Sequence, residues 1–297
     1  MPESRTAFDT PVISVRENEI SVLSPLLRET ARILLIGDHH AGVTDEREKP
    51  YEGYSARMAQ YSPPDMAELE KMLRRGAEEK FDLILLLGDI LSFPSEAGAE
   101  RLAELIRNSP VPVLFTAGNH DWHYEGLPGS DRVLRQEWTA KRLMPLYRGR
   151  DPLCYAYSLR GMEVVMMDNS VYEILPGQLD FMRAILTKGK PVLLGCHIPL
   201  YLPGAKRDAA NYGCGHPGWG GASDPCWQIE RRERWHEEGP CPETFAFHRE
   251  VFEAPNLLGI AAGHTHVFRA DTFRDKFQLT VSMHRPCALE LGPLPTE

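Results

Sequence analysis

Five short apolar runs in this 297-residue chain end in the same way: a glycine, then Asp, Asn or His. Ile33 to Ile36 leads into Gly37-Asp38-His39-His40, and Leu83 to Leu87 leads into Gly88-Asp89. Val111 to Thr116 leads into Ala117-Gly118-Asn119-His120-Asp121, and Val192 to Leu194 leads into Gly195-Cys196-His197. Leu257 to Ala262 leads into Gly263-His264-Thr265-His266. Apolar runs of this length closed by glycine read as buried strands. Helical spacing separates the first three: Met66, Leu69, Met72 and Leu73 recur on one face, as do Leu102, Leu105 and Ile106. Strand, helix, strand, helix, strand argues for parallel pairing, and ligands of such sheets gather outside the carboxyl ends of the strands. All five polar endings sit there, so the pattern predicts a metal site on a sheet edge.

The rest of the chain supplies the frame. Ile13-Ser14-Val15 and Ile20-Ser21-Val22 are expected as edge strands within an N-terminal segment, residues 1–30. Residues 41–64 read as a long polar loop, and a helix starts with Asp65 in its first turn. Residues 131–144 read as helical, as do 176–186 and 245–252. Tyr155–Leu159 and Val164–Met167 read as two strands turning at Arg160-Gly161. Further strands are expected near 256–262, 267–273, 277–282 and 288–291. Residues 201–242 change character, rich in Gly, Pro, Cys and Trp with little periodicity, and read as an inserted lid within one domain spanning 1–297.

Composition narrows the function. Apolar residues make up 42% and charged residues 25%, ordinary for a soluble globular chain, and the net charge of −9 gives no support to a nucleic-acid or anionic-membrane surface. The first ten residues lack the basic start and apolar stretch of a signal peptide, and no run approaches a membrane span, so a cytoplasmic protein is expected. Six cysteines, Cys154, Cys196, Cys214, Cys226, Cys241 and Cys287, are too sparse for a disulfide scaffold and fit reduced thiols.

Taken singly, each ending has a bland reading: a strand-end turn, a helix-capping Asp, a hydrogen-bonded histidine. Only the ordered set overturns these. Carboxylate and imidazole without thiolate suit Mn, Fe or Zn. The series Asp38-x-His40, Gly88-Asp89, Gly118-Asn119-His120-Asp121, His197, Gly263-His264-x-His266 resembles the calcineurin-like metallophosphoesterase superfamily in all five blocks, across residues 37–266. The resemblance implies a four-layer αββα sandwich of two mixed sheets flanked by helices, an α/β (α+β) class. It implies two divalent ions, with Asp38, His40 and His266 holding one, Asn119, His197 and His264 the other, and Asp89 bridging them. It implies hydrolysis of a phosphodiester or phosphomonoester of a small molecule by in-line attack of a metal-bridging hydroxide, with His120 as general acid. Asp121 is the candidate to orient the His120 ring.

Departures from the superfamily matter. Protein serine/threonine phosphatases carry Asp three residues after the bridging Asp, and purple acid phosphatases a tyrosine ligand; Ser92 stands here. Two other readings are a non-catalytic interaction module on the same fold and a metallonuclease. His39 lies between two ligands, and His123 beside the substrate mouth or on open surface. Asp168-Asn169-Ser170 follows a strand and either shapes the site or forms a turn. In the insertion, Cys214, His216, Cys226 and Cys241 match no zinc spacing and read as free thiols in a loop. Asn211, His216 and Trp219 are candidate lid contacts, and Arg231-Arg232-Glu233-Arg234 reads as a solvated helix face before it reads as a phosphate contact.

Overall fold

The computed structural model describes residues 11–203, 213–218 and 238–295. Among them twelve strands form two six-stranded mixed sheets. In chain order these are β1 (Val12–Arg16), β2 (Glu19–Ser24), β3 (Ala31–Ile36), β4 (Leu83–Leu87), β5 (Val113–Thr116) and β6 (Cys154–Leu159). They continue with β7 (Met162–Met167), β8 (Val192–Cys196), β9 (Leu257–Ala262), β10 (Arg269–Phe273), β11 (Lys276–Thr280) and β12 (Cys287–Pro293). The first sheet runs β1-β2-β12-β3-β4-β5 and the second β10-β11-β9-β8-β7-β6.

Of the five motif-bearing strands, β3, β4, β8 and β9 are interior and β5 closes the edge of the first sheet. β3, β4 and β5 are parallel neighbours, and β7, β8 and β9 are parallel neighbours in the other sheet. β4 packs across onto β8 and β5 onto β7, so the sheets lie face to face. Every residue of β4, β5, β7, β8 and β9 is buried, as expected of strands covered on both faces. Helices α1 (Glu52–Ala59), α2 (Ala67–Glu78), α3 (Glu96–Asn108), α4 (Asp131–Trp138), α5 (Met144–Tyr147), α6 (Pro176–Leu186) and α7 (Pro242–Glu253) form the outer layers. α2 packs on β4 and α5 on β5. α6 and α7 pack on each other, with Gln178 reaching Met167 and Phe252 lying edge-on to Phe273 at 5.0 Å. The expected sandwich and its parallel core are therefore present. No helix among the described residues is long and apolar enough to cross a membrane.

Two stretches differ from expectation. Residues 41–64 are no plain loop: a 3₁₀ turn, Glu46–Tyr51, runs into α1. Asp45 caps the turn by accepting from Arg47 N at 2.9 Å, and Glu48 is buried against Tyr124 and the Glu96 amide. Those partners come from distant segments, which local periodicity does not display. Residues 131–147 are broken in three, with a π-helical turn at Thr139–Leu143 between α4 and α5. Of the insertion, Asn211, Trp219, Cys226 and residues 231–234 lie outside the described residues.

Candidate metal centre

Three of the five strand ends, those of β3, β4 and β9, deliver their polar residues through an uncommon backbone shape. Asp38, His40, Asp89, His264 and His266 have φ of 53°, 53°, 52°, 73° and 59°. The left-handed region costs an L-residue on the order of 1 kcal/mol, though Asp, Asn and His tolerate it better than most. Here it is held by pairing that continues past the strands. Asp38 N donates to Gly88 O (3.0 Å), His40 N to Asp89 O (2.9 Å) and Gly263 N to His197 O (2.8 Å). Close approach accounts for two glycines. Gly88 has φ +84°, and a Cβ there would lie 2.6 Å from His197 Nδ1; a Cβ on Gly118 would lie 2.2 Å from Asp89 Oδ1.

The donors gather into two clusters that share one carboxylate. Asp38, His40, Asp89 and His266 present ligand atoms within 4.8 Å of one another, and so do Asp89, His197 and His264. In the first, His40 Nε2 faces His266 Nε2 at 3.1 Å, and His266 Nε2 lies 3.7 Å from Asp38 Oδ1. In the second, His197 Nε2 lies 3.2 Å from His264 Nδ1, 3.2 Å from Asn119 Oδ1 and 3.2 Å from Asp89 Oδ2. Asp89 Oδ2 also lies 3.9 Å from His40 Nε2. Asp89 thus stands between the clusters.

Outer partners set which ring nitrogen faces inward. His197 Nδ1 donates to Leu87 O at 2.8 Å, since a carbonyl can only accept, and Nε2 is left to the centre. His264 Nε2 meets Tyr172 Oη at 2.5 Å, which turns Nδ1 inward. Both oxygens of Asp38 accept from His264 N, at 2.9 and 3.0 Å, and Asp89 Oδ1 accepts from His120 N at 2.8 Å.

The electrostatics fit bound cations. Burial, reinforced by neighbouring imidazoles, holds His40 and His264 well below the ordinary histidine range, so each offers a lone pair. Burial also opposes charge on His197, but Asp89 and Asp38 overcome it and hold its pKa up to about 10. Burial and the Asp89 carboxylate push Asp38 up to about 8, against the pull of His197. Burial works against ionisation of Asp89 too, yet His197 and His120 hold it well below the carboxylate range. Lone pairs of Asn119, Asp89 and the His264 imidazole thus converge on His197 Nε2, where a proton is the smallest cation that answers them. A divalent ion answers the same need with oxygen and nitrogen ligands.

His120 is half-buried at the mouth, its ring edge-on to His40 with centroids 4.8 Å apart, and His123 lies beside it at 6.2 Å. Asp121 differs from expectation. Its oxygens accept from the amides of Asp89 (2.7 Å), Leu91 (2.8 Å) and Gly118 (2.7 Å), so it is tied to backbone instead of to the His120 ring. Burial and Asp89 raise its pKa to about 7. Ser92 Oγ donates to His40 O at 2.7 Å and meets Ser62 Oγ at 2.5 Å, fixing the loop that carries His40. Asn169 accepts from the amides of His197 (3.2 Å) and Ile198 (3.0 Å), so its strand end does shape the site. His39 points away, buried edge-on to His284, with burial lowering its pKa to about 4. Tyr172 went unread in the sequence; its one local signal is its place just past β7, a sixth strand end on the same edge. Cys214 and Cys241 fall into no metal-ligating group among the described residues, and the His216 ring packs on Tyr201 at 4.4 Å.

The profile of the calcineurin-like phosphoesterase family matches residues 31–268. No curated protein matches the chain by sequence. Among solved structures, a dimetal phosphatase from Danio rerio is similar at a TM-score of 0.50 and 16% identity, over 86% of this chain and 88% of that one. A purple acid phosphatase from yellow lupin seeds is similar at a TM-score of 0.49 and 11% identity, over 88% of this chain and 46% of that one. At 16% identity the likeness to the first is one of fold.

Proposed function

Because the chain belongs to the calcineurin-like phosphoesterase family, matched over residues 31–268, we propose that it hydrolyses a phosphate ester of a small molecule with two divalent ions in the centre described above. One observation carries this reading: Asp89 Oδ2 lies 3.2 Å from His197 Nε2 and 3.9 Å from His40 Nε2, one carboxylate serving two adjoining clusters. Asp38, His40 and His266 would hold one ion and Asn119, His197 and His264 the other, with Asp89 common to both. Mn, Fe and Zn all suit this donor set. When bound, the ions supply Lewis-acid charge to the phosphoryl oxygens and make water a usable nucleophile near neutral pH.

The chain's own groups do the rest. The His120 ring stands at the mouth, free to donate a proton or a hydrogen bond to the leaving oxygen. Its backbone is tied to Asp89 Oδ1 at 2.8 Å, so acid and bridging carboxylate are set against each other by one bond. Asp121 positions the amides of residues 89, 91 and 118. Leu87 O and Tyr172 Oη keep the His197 and His264 rings in the ligating tautomers. The net charge of −9 favours a small soluble ester over a polyanion.

The test is metal content and turnover together. Protein purified without chelator is assayed for bound ions, then for hydrolysis of p-nitrophenyl phosphate and bis-p-nitrophenyl phosphate with Mn, Fe or Zn. Bound metal with chelator-sensitive turnover is expected. Less than a single ion per chain after added Mn, with no turnover, would favour a non-catalytic module.

A further inference from the structure

α4 and the π-helical turn after it line a cavity of about 500 Å³ that none of the proposed metal ligands touches. Its opposite wall is built from the 151–153 turn, Asp168 and Leu175. Arg135, on α4, is only 6% exposed, yet its guanidinium makes no hydrogen bond among the described residues, and Nη1 is buried without a hydrogen-bond partner. Asp168 Oδ1 lies 3.9 Å from Nη1, beyond hydrogen-bond reach, and already accepts from Ser170 N (2.9 Å) and Ser170 Oγ (2.5 Å). Thr139, one turn further on the same face, is also buried, with Oγ1 unpartnered. A buried guanidinium normally spends its five donors on acceptors, and leaving them unmet is costly. One turn earlier Arg132 does so, forking onto Glu173 at 2.8 and 2.6 Å. Arg135 and Thr139 both line this space, whose other walls include the apolar side chains of Met144, Leu153 and Leu175.

We propose that this cavity binds a small amphiphilic carboxylate. The head takes the guanidinium fork of Arg135, with a hydrogen bond from Thr139, and the carbon chain lies along Met144, Leu153 and Leu175. A volume of about 500 Å³ lies within the range of small-molecule sites. A monoanion suits the head better than a dianionic phosphate, because the Asp168 carboxylate stands 3.9 Å from the guanidinium and repels added charge. Planar carboxylate matches the fork in two parallel bonds. The site is independent of the phosphoesterase reading, and its test needs no turnover.

Calorimetric titration of the full chain with octanoate, octanol and octylphosphonate decides it. Octanoate is expected to bind one to one, with octanol and octylphosphonate at least about tenfold weaker. Arg135→Met abolishes octanoate binding, and Thr139→Val, which keeps shape and removes only the hydroxyl, weakens it several-fold. Octanol binding as tightly as octanoate, octylphosphonate binding more tightly, or octanoate binding unchanged in Thr139→Val and Arg135→Met would overturn the proposal. So would the absence of saturable binding by any of the three, which would leave solvent as the only occupant.

Discussion

The two halves of the proposed metal centre are built to different standards. Around Asn119, His197 and His264 the enclosure is fuller: His197 is 0% and Asn119 1% exposed, and His264 is partly buried. Both imidazoles there have an outer partner, Leu87 O for His197 and Tyr172 Oη for His264. Around Asp38, His40 and His266 the support is thinner. The His266 side chain is 43% exposed, and His40 Nδ1 is buried with no hydrogen-bond partner among the described residues. Outer partners orient a ligand and raise its basicity, and losing one typically costs about 10–100-fold in metal affinity. The enclosed half is therefore expected to hold its ion tightly and the open half to exchange it.

Asp89→Ala tests what the halves share and carries the largest effect. With the common carboxylate gone, both ions are expected to weaken and turnover to fall by about a thousandfold or more. Elemental analysis of the variant checks this. Full retention of an ion in either half would show that Asp89 belongs to one half alone. His120→Ala comes next. It removes the group at the mouth and leaves both clusters, so kcat should fall about 10²–10⁴-fold at unchanged metal content. A parallel loss of metal would move His120 from proton transfer to ion binding.

Much of this contrast was hidden in the sequence. The strands and the clustering of carboxylate and imidazole at their ends are legible because a buried parallel strand is an apolar run, and a run stopped by glycine announces its end. The outer partners are not, because they come from far away: Tyr172 is 92 residues from His264, and Leu87 acts through its carbonyl, which any residue would offer. The loop that carries Asp121 is legible but its partners are not, since spacing alone does not reveal that three amides converge on its carboxylate. The left-handed turns at Asp38, His40, Asp89, His264 and His266 depend on bonds between loops from different strands. The helix at residues 52–59 is not legible for a similar reason, its preceding turn being anchored by Glu48 to residues 96 and 124.

Tyr172→Phe sharpens the contrast from the enclosed side. It removes the hydroxyl against His264 Nε2 and keeps the ring, so the affinity of one ion should fall about 10–100-fold while the other is unchanged. Stepwise metal titration against a competing chelator reads both. Equal weakening of the two ions would mean that the halves are not independent.

Protonation separates the halves again, by a smaller margin. In the metal-free protein the pKa of His197 is raised to about 10 and that of Asp38 to about 8. Both lie above their ordinary values. Each group therefore stabilises the metal-free fold fully below its ordinary pKa, and that contribution is lost as pH rises through the folded value. A bound ion displaces these protons, so its affinity rises by about tenfold per pH unit for each proton released. The enclosed ion should keep gaining affinity up to about pH 10, and the open ion should level off near pH 8. Chelator competition at pH 7, 8 and 9 measures both slopes, and equal slopes above pH 8 would remove this distinction.

The smallest effect is expected from Ser92→Ala, on the open side. Ser92 Oγ donates to His40 O at 2.7 Å and meets Ser62 Oγ at 2.5 Å, so it holds the backbone of a ligand whose own ring has no outer partner. Losing one such bond costs about 1 kcal/mol, roughly fivefold in an equilibrium constant. If the open half depends on backbone bracing in place of ring bracing, that loss should appear in the affinity of the exchangeable ion and leave the enclosed ion unmoved. Thermal unfolding with and without metal separates this from general destabilisation: the metal-free midpoint should drop slightly, and the stabilisation gained from the first ion bound should stay the same. A loss of affinity confined to the enclosed ion would mean that the loop at residue 92 braces His197 and His264 through contacts other than the one to His40.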